Sequence, residues 1–207
     1  MEIYVVYDVS YTTEFHEMPL RLYFALAGVW TVWGIVWLVA AAFAKRTVRS
    51  QAMTQRLPLA TMTFSSGVLL GSGWFRHSWL ALRFVPELSW VEATGLALAA
   101  LGCGFSVWAR LTLGANWSGR VTVKADHELI VSGPYALTRH PIYTGILIGV
   151  AGTALAIGEW RCVVAFFLLL IAFLLKIRVE EQLMTQTFPA TYPEYRRRVK
   201  ALVPWLF

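Results

Sequence analysis

Charge is what this chain has least of. Only 14% of its 207 residues are Asp, Glu, Lys or Arg, where a soluble domain carries about a quarter. That is too little to coat a surface facing water, which excludes an ordinary soluble enzyme. Cysteine is scarce as well. Cys103 and Cys162 both lie inside apolar runs and form no CxxC or CxxH spacing. They point away from a disulfide framework or a metal site and toward two small buried hydrophobes. Residues 1–19 open acidic, with Glu2, Asp8, Glu14 and Glu17, and without a basic region, short apolar core and small-residue cleavage site, so no cleaved leader is expected. Generic motifs are missing too. "GSGWFR" from Gly71 has two glycines of a dinucleotide fingerprint but not the third, and no strand precedes it. "NWS" at Asn116 fits a glycosylation sequon, but it falls in a loop assigned below to the cytoplasm. No Ser-His-Asp arrangement, metal-ligand spacing, repeat or low-complexity linker stands out.

What is there in quantity is apolar. Hydrophobic residues make up 57% of the chain, with ten Trp, eight Tyr and twelve Phe, and the mean hydropathy is +0.57. Trp and Tyr gather at the two faces of a bilayer, and a spanning helix needs about 20 mostly apolar residues. Five segments qualify: Leu20–Ala44, Leu57–Phe75 with Pro58 in its first turn, Val91–Leu113, Pro141–Ile157, and Trp160–Ile177 continuing as helix to about Thr187. The third is dense in small residues (Gly95, Ala97, Ala99, Ala100, Gly102, Gly104), which let helices approach closely in lipid. Between the last two only Gly158-Glu159 intervenes, so they must form an antiparallel hairpin. The expected fold class is an all-α integral membrane protein of about five transmembrane helices.

Basic residues in the loops orient it. Lys45, Arg46, Arg49 and Arg56 follow the first helix, Arg110, Arg120, Lys124 and Arg139 bracket the third loop, and Arg196, Arg197, Arg198 and Lys200 lie in the tail. With five spans these share one side, the cytoplasm, and the N-terminus lies outside. Arg76 and Arg83 count mildly against the scheme and are outnumbered. The net charge of +6 is then attraction to anionic headgroups, and no nucleic-acid partner is expected.

Ionisable groups crowd one end of the last two helices: His127, Arg139, His140 and Tyr143 on one, and Lys176, Arg178, Glu180 and Glu181 on the other. The hairpin brings both sets to the cytoplasmic interface, where converging ionisable groups are a functional hypothesis. In "GPYALTRHPIYTG", Gly133-Pro134 makes a turn and Pro141 suits the first position of a helix. The free N–H groups after His140 then form an anion site at the positive end of the helix dipole, to which His140 and Arg139 add donors. Taken alone, "RHP" fits an interfacial anchor equally well, with Arg139 snorkelling to headgroups. Lys176 and Glu180 alone fit an ordinary i,i+4 pair.

The run "HELIVSGPYALTRHPIYTG", followed by two apolar segments, "EEQLMTQTF" and "YPEYRRRVKALVPWL", closely resembles the isoprenylcysteine carboxyl methyltransferase family, whose relatives include membrane phospholipid methyltransferases. The resemblance covers roughly Asn116 to Phe207; the first three helices match only in character. It implies one methyltransferase domain over 1–207, with three membrane helices in 1–113 and a cofactor-binding catalytic region in 114–207. It further implies that S-adenosyl-L-methionine is enclosed at the cytoplasmic ends of the last two helices. A lipophilic or lipidated acceptor would enter from the bilayer among membrane lipids. Carried over by position, the cofactor contacts fall on His127, Glu128, Leu129, Ile130, Tyr135, His140, Pro141, Ile142, Tyr143 and Glu180. The family's substrate-binding arginine falls on Lys176, which cannot form a planar two-pronged grip, with Arg178 close by; these two are the candidate catalytic residues. The family's "FG" reads Phe188-Pro189 here.

The implied reaction is methyl transfer to a lipophilic acceptor, a carboxylate as in protein-S-isoprenylcysteine O-methyltransferases. The alternatives are a phospholipid or other lipid N- or S-methyltransferase and a sterol-reductase-like, NADPH-dependent membrane reductase. Sterol reductases share a "GPY…RHP" pattern, but they usually have more membrane helices, and five spans with the "EE" pair favour the methyltransferase. A non-enzymatic membrane scaffold is disfavoured by the converging ionisable groups. Reporter fusions at Lys45, Glu159 and Phe207 should read inside, outside, inside; a cytoplasmic report at Glu159 would break the hairpin and the shared site with it.

Overall fold

The computed structural model describes residues 18–43, 47–50, 53–75, 77–114, 122–124 and 129–204. The elements run α1 (Leu20–Ala42), β1 (Thr47–Ser50), α2 (Met53–Gly71), α3 (Ser89–Leu113), β2 (Thr122–Lys124), α4 (Pro141–Ile157), α5 (Trp160–Thr187) and α6 (Tyr192–Arg198). Among the described residues, three helices are long and apolar enough to cross a bilayer: α1, α3 and α5. The 17 residues of α4 rise about 26 Å, slightly less than a hydrocarbon core of about 30 Å. Only Leu22 and Leu26 of α1 are buried, although the helix is apolar on every side, as a helix facing lipid should be.

The expected bounds hold to within a few residues except at α2. That helix begins at Met53, so Pro58 is its sixth residue and not part of its first turn. The cost is one hydrogen bond close to the helix start.

Helix α3 packs more extensively on α4 than on any other element, and glycine is the reason. A Cβ on Gly102 would overlap the backbone of Gly149, and one on Gly145 would lie 2.6 Å from the Ser106 nitrogen. Gly95 and Gly152 meet the opposite backbone in the same way. Spaced seven apart on each helix, these four residues recur on one face every two turns and bring the backbones into contact. Polar bonds fix the neighbours. Trp33 Nε1 donates to Ser106 Oγ (2.8 Å) and Trp30 Nε1 to Thr153 Oγ1 (3.1 Å), tying α1 to both helices. Ser66 Oγ donates to the Ala165 carbonyl (3.0 Å), tying α2 to α5.

At one end of the bundle β1, which follows α1, pairs antiparallel with β2, which follows α3. At the other end Gly158, left-handed at φ 76°, turns α4 directly into α5. Two arginines at this end serve as helix caps. Arg83 Nη1 donates to the Ile157 carbonyl (2.9 Å), and Arg161 Nη1 to the carbonyls of Leu69 (2.7 Å) and Leu70 (3.0 Å). Such duty explains positive charge at the end that the loop bias assigns to the outside.

Between α1 and α3 runs an apolar groove of about 380 Å³, lined by Ile35, Val39, Phe43 and Leu111 among others. Arg110 closes it. That side chain is 1% exposed and donates to the carbonyls of Gly114 (2.8 Å) and Ala40 (2.5 Å).

Gly102→Ala should lower the thermal stability of the detergent-solubilised protein by about 1–3 kcal/mol, the usual cost of overpacking. Gly104→Ala, with nothing within 4 Å of its new methyl group, should be neutral or slightly stabilising. Equal effects in a melting experiment would contradict the glycine contact.

Candidate functional site

The mouth of α4 is built by three local features. Gly133, at φ 60°, turns the chain into a short 3₁₀ segment, Gly133–Ala136, which buries Tyr135 against Ala109 and Ile142. His140 then occupies the N-cap position, with no side-chain cap bond, and Pro141 opens the helix. Pro141 has no N–H, and the Thr144 N–H bonds the His140 carbonyl at 3.1 Å. The helix therefore leaves the N–H groups of Ile142 and Tyr143 for partners outside it.

The N–H groups just before them are used by the tail. Arg139 N donates to the Lys200 carbonyl (2.8 Å) and His140 N to the Ala201 carbonyl (3.0 Å). Thr144 Oγ1 adds a bond to the Leu202 carbonyl (2.8 Å), and Tyr195 OH one to the Tyr135 carbonyl (2.6 Å). Burial, the largest cause, pushes the phenols of Tyr135, Tyr192 and Tyr195 above the ordinary tyrosine range. The residues from Tyr192 to Leu202 thus wall the mouth of α4 on one side.

Helix α5 supplies the opposite wall. Tyr143 OH donates to Glu180 Oε1 at 2.7 Å, and Glu180 Oε2 lies 3.6 Å from His140 Nδ1. One turn earlier, Lys176 Nζ is 4.0 Å from Glu180 Oε1 and 5.2 Å from the centre of the Tyr143 ring. The Tyr143 ring stacks on Phe173 with centroids 4.5 Å apart, which fixes its hydroxyl at the α5 side. Half-buried Leu129 leads into the site, and Ile130 packs on the cluster of Ala109, Tyr135 and Ile142.

Of the residues expected at the site, Tyr135, His140, Pro141, Ile142, Tyr143, Lys176 and Glu180 come together around the α4–α5 mouth. His127 and Glu128 lie outside the described residues. Arg178 does not join the group: two residues beyond Lys176 it has rotated about 200° around the helix and is exposed. Arg139 differs from its expected role as an anion donor. Its Nε and Nη2 donate to Glu181 Oε1 (2.8 and 2.6 Å), and Nη1 donates to the Arg196 carbonyl (3.1 Å) and to that of Val199.

Sequence reasoning placed Glu181 among the converging ionisable groups, but gave it, the tail tyrosines and Arg110 no part in building the site. The "EE" pair was a signal for the first, because adjacent helical residues cannot face the same side. The burial of Arg110 and the docking of the tail depend on backbone carbonyls distant in sequence, for which the sequence carries no mark.

Residues 95–186 match the isoprenylcysteine carboxyl methyltransferase (ICMT) family. A probable protein-S-isoprenylcysteine O-methyltransferase of Oryza sativa is 32% identical over 182 residues, covering 84% of this chain and 90% of the relative. The protein-S-isoprenylcysteine O-methyltransferase of Homo sapiens is 32% identical over 139 residues, 62% of this chain and 49% of its own length. A cobalt-zinc-cadmium resistance protein of Cupriavidus metallidurans is 35% identical over 120 residues, 57% of this chain and 53% of its own.

Proposed function

The chain belongs to the isoprenylcysteine carboxyl methyltransferase family and is a membrane methyltransferase, and from that premise we propose its cofactor, acceptor and site. It transfers the methyl group of S-adenosylmethionine to a carboxylate on a lipophilic acceptor of the prenylcysteine kind, at the joint mouth of α4 and α5. The observation that carries this reading is the Tyr143–Glu180 bond of 2.7 Å, which closes two helices around a polar cradle at the end of an otherwise apolar hairpin.

The donor set suits an amino-acid moiety beside an apolar ring. Glu180 and the His140 ring would hold its ammonium group, and the N–H groups of Ile142 and Tyr143 at the helix dipole would hold its carboxylate. Leu129 and Ile130 offer an apolar wall to adenine, and Tyr135 and Pro141 shape the floor; His127 and Glu128 are cofactor contacts by the family resemblance alone. When bound, the sulfonium supplies an electrophilic methyl carbon and leaves as a neutral thioether. A carboxylate acceptor has no proton to lose, so the protein's work is alignment and exclusion of water. Lys176, held beside Tyr143 and Glu180, orients the acceptor's head. Arg178, on the exposed face, attracts acidic acceptors to the interface.

The whole of 1–207 serves as one methyltransferase unit, since the α3–α4 glycine contact fixes the catalytic hairpin on the N-terminal helices. Its N-terminus lies outside and its C-terminus in the cytoplasm. The β1–β2 pairing supports this orientation by bringing the strands that follow α1 and α3 to one end.

Glu180→Gln should weaken S-adenosylmethionine binding about tenfold or more, as expected for a lost bond to a charged group. Lys176→Ala should leave that affinity nearly intact and lower turnover. Lys176→Arg should preserve or raise activity on a prenylcysteine-type carboxylate. Calorimetry and a methyl-transfer assay on the purified protein read all three. Equal loss of cofactor affinity in Lys176→Ala and Glu180→Gln would reduce the pair to a structural salt bridge.

A further inference from the structure

Glu180 and Glu181 are neighbours in sequence, but a helix turns about 100° per residue, and their carboxylates do different things. Glu180 faces Tyr143. Glu181, 7% exposed, faces the tail side. Its Oε1 accepts from Arg139 Nε and Nη2 at 2.8 and 2.6 Å, and its Oε2 lies 3.1 Å from Arg196 Nε. The same Oε1 lies 3.3 Å from His140 Nε2. The imidazole is thus held between two carboxylates, Nε2 toward Glu181 and Nδ1 toward Glu180.

Paired with two guanidinium groups, Glu181 is a carboxylate, and a carboxylate only accepts hydrogen bonds. The nitrogen at hydrogen-bond distance from it, Nε2, is therefore the one that carries hydrogen. A neutral imidazole has a single N–H, which leaves Nδ1 with its lone pair. Nδ1 stands 3.6 Å from Glu180 Oε2, beyond hydrogen-bond distance. Two acceptors side by side at that spacing suit one shared donor, and an ammonium group, with three N–H donors and a positive charge, is the chemistry that fits.

We propose that Glu181 is a positioning residue: it holds His140 in the Nε2–H tautomer, so that Nδ1 and Glu180 jointly receive the amino group of the methyl donor. The identity of that donor rests on the function proposed above; the tautomer does not. By tying Arg139 and Arg196 to the same carboxylate, Glu181 also keeps the tail wall in place while the ring is held.

The test is ¹⁵N NMR of the full chain in lipid nanodiscs with labelled histidine, at a pH where imidazole is neutral. His140 is assigned by the signals lost in His140→Gln. The expected wild-type spectrum has a protonated Nε2 and a bare Nδ1. Glu181→Asp, which keeps the carboxylate, should preserve that pattern. Glu181→Gln should shift the ring toward the Nδ1–H tautomer and weaken S-adenosylmethionine binding roughly tenfold. A wild-type ring protonated on Nδ1 or on both nitrogens would overturn the proposal, and that spectrum decides even if Glu181→Gln does not fold. A tautomer indifferent to Glu181→Gln in a folded protein would also overturn it. The expected tautomer, together with wild-type protein that has no affinity for S-adenosylmethionine, would uphold the role of Glu181 and remove the proposed donor.

Discussion

Two adjacent carboxylates at the end of α5, with side chains only 20% and 9% exposed, must find partners inside the protein, because a buried charge without one is costly. Glu180 and Glu181 meet that constraint in opposite directions, and much of the site follows from how they do it. Glu180 draws in Tyr143 from α4. Glu181 draws in Arg139 from the approach to α4 and Arg196 from the tail. One dipeptide therefore joins the mouth of α4, the end of α5 and the final segment of the chain. Removing Glu180 would leave the Tyr143 phenol without its acceptor, and removing Glu181 would leave Arg139 Nε and Nη2 without theirs.

This junction works only if α4 stands at a fixed depth and rotation. The glycine contact with α3 provides that. Backbones that touch at Gly95, Gly102, Gly145 and Gly152 admit little sliding, because a Cβ on any of the four would collide with main chain. At the far end the Gly158 turn transmits the position of α4 directly to α5. The placement of His140 and Tyr143 against Glu180 is thus set by apolar packing along the hairpin, with the polar groups added at its end.

Much of this was legible in the sequence because it depends on local pattern. Five apolar runs, a two-residue connection after Ile157 and a proline following His140 are enough to give the hairpin and its polar mouth. The small residues of α3 announced a close contact, though not that Gly95 and Gly102 would face α4 while Gly104 faces open space. That is a matter of helical phase. Phase also separates Arg178 from Lys176 and Glu181 from Glu180, distinctions that a cluster of charges in one stretch conceals. The role of Arg139 was hidden for another reason. Its partners include the carbonyls of Arg196 and Val199, and a backbone acceptor 57 or 60 residues away looks the same whatever side chain it carries. Pro58 shows the converse limit: a proline near a helix start fits either its first turn or, as here, its second.

The function proposed for the chain requires that the α4–α5 mouth hold the methyl donor. The most direct measurement is a structure of the protein in lipid, determined with saturating S-adenosylhomocysteine. The amino-acid end of the ligand is expected within hydrogen-bond distance of Glu180 and His140 Nδ1, with adenine against Leu129 and Ile130. Ligand density elsewhere, such as in the groove between α1 and α3, or no density at all, would contradict that function.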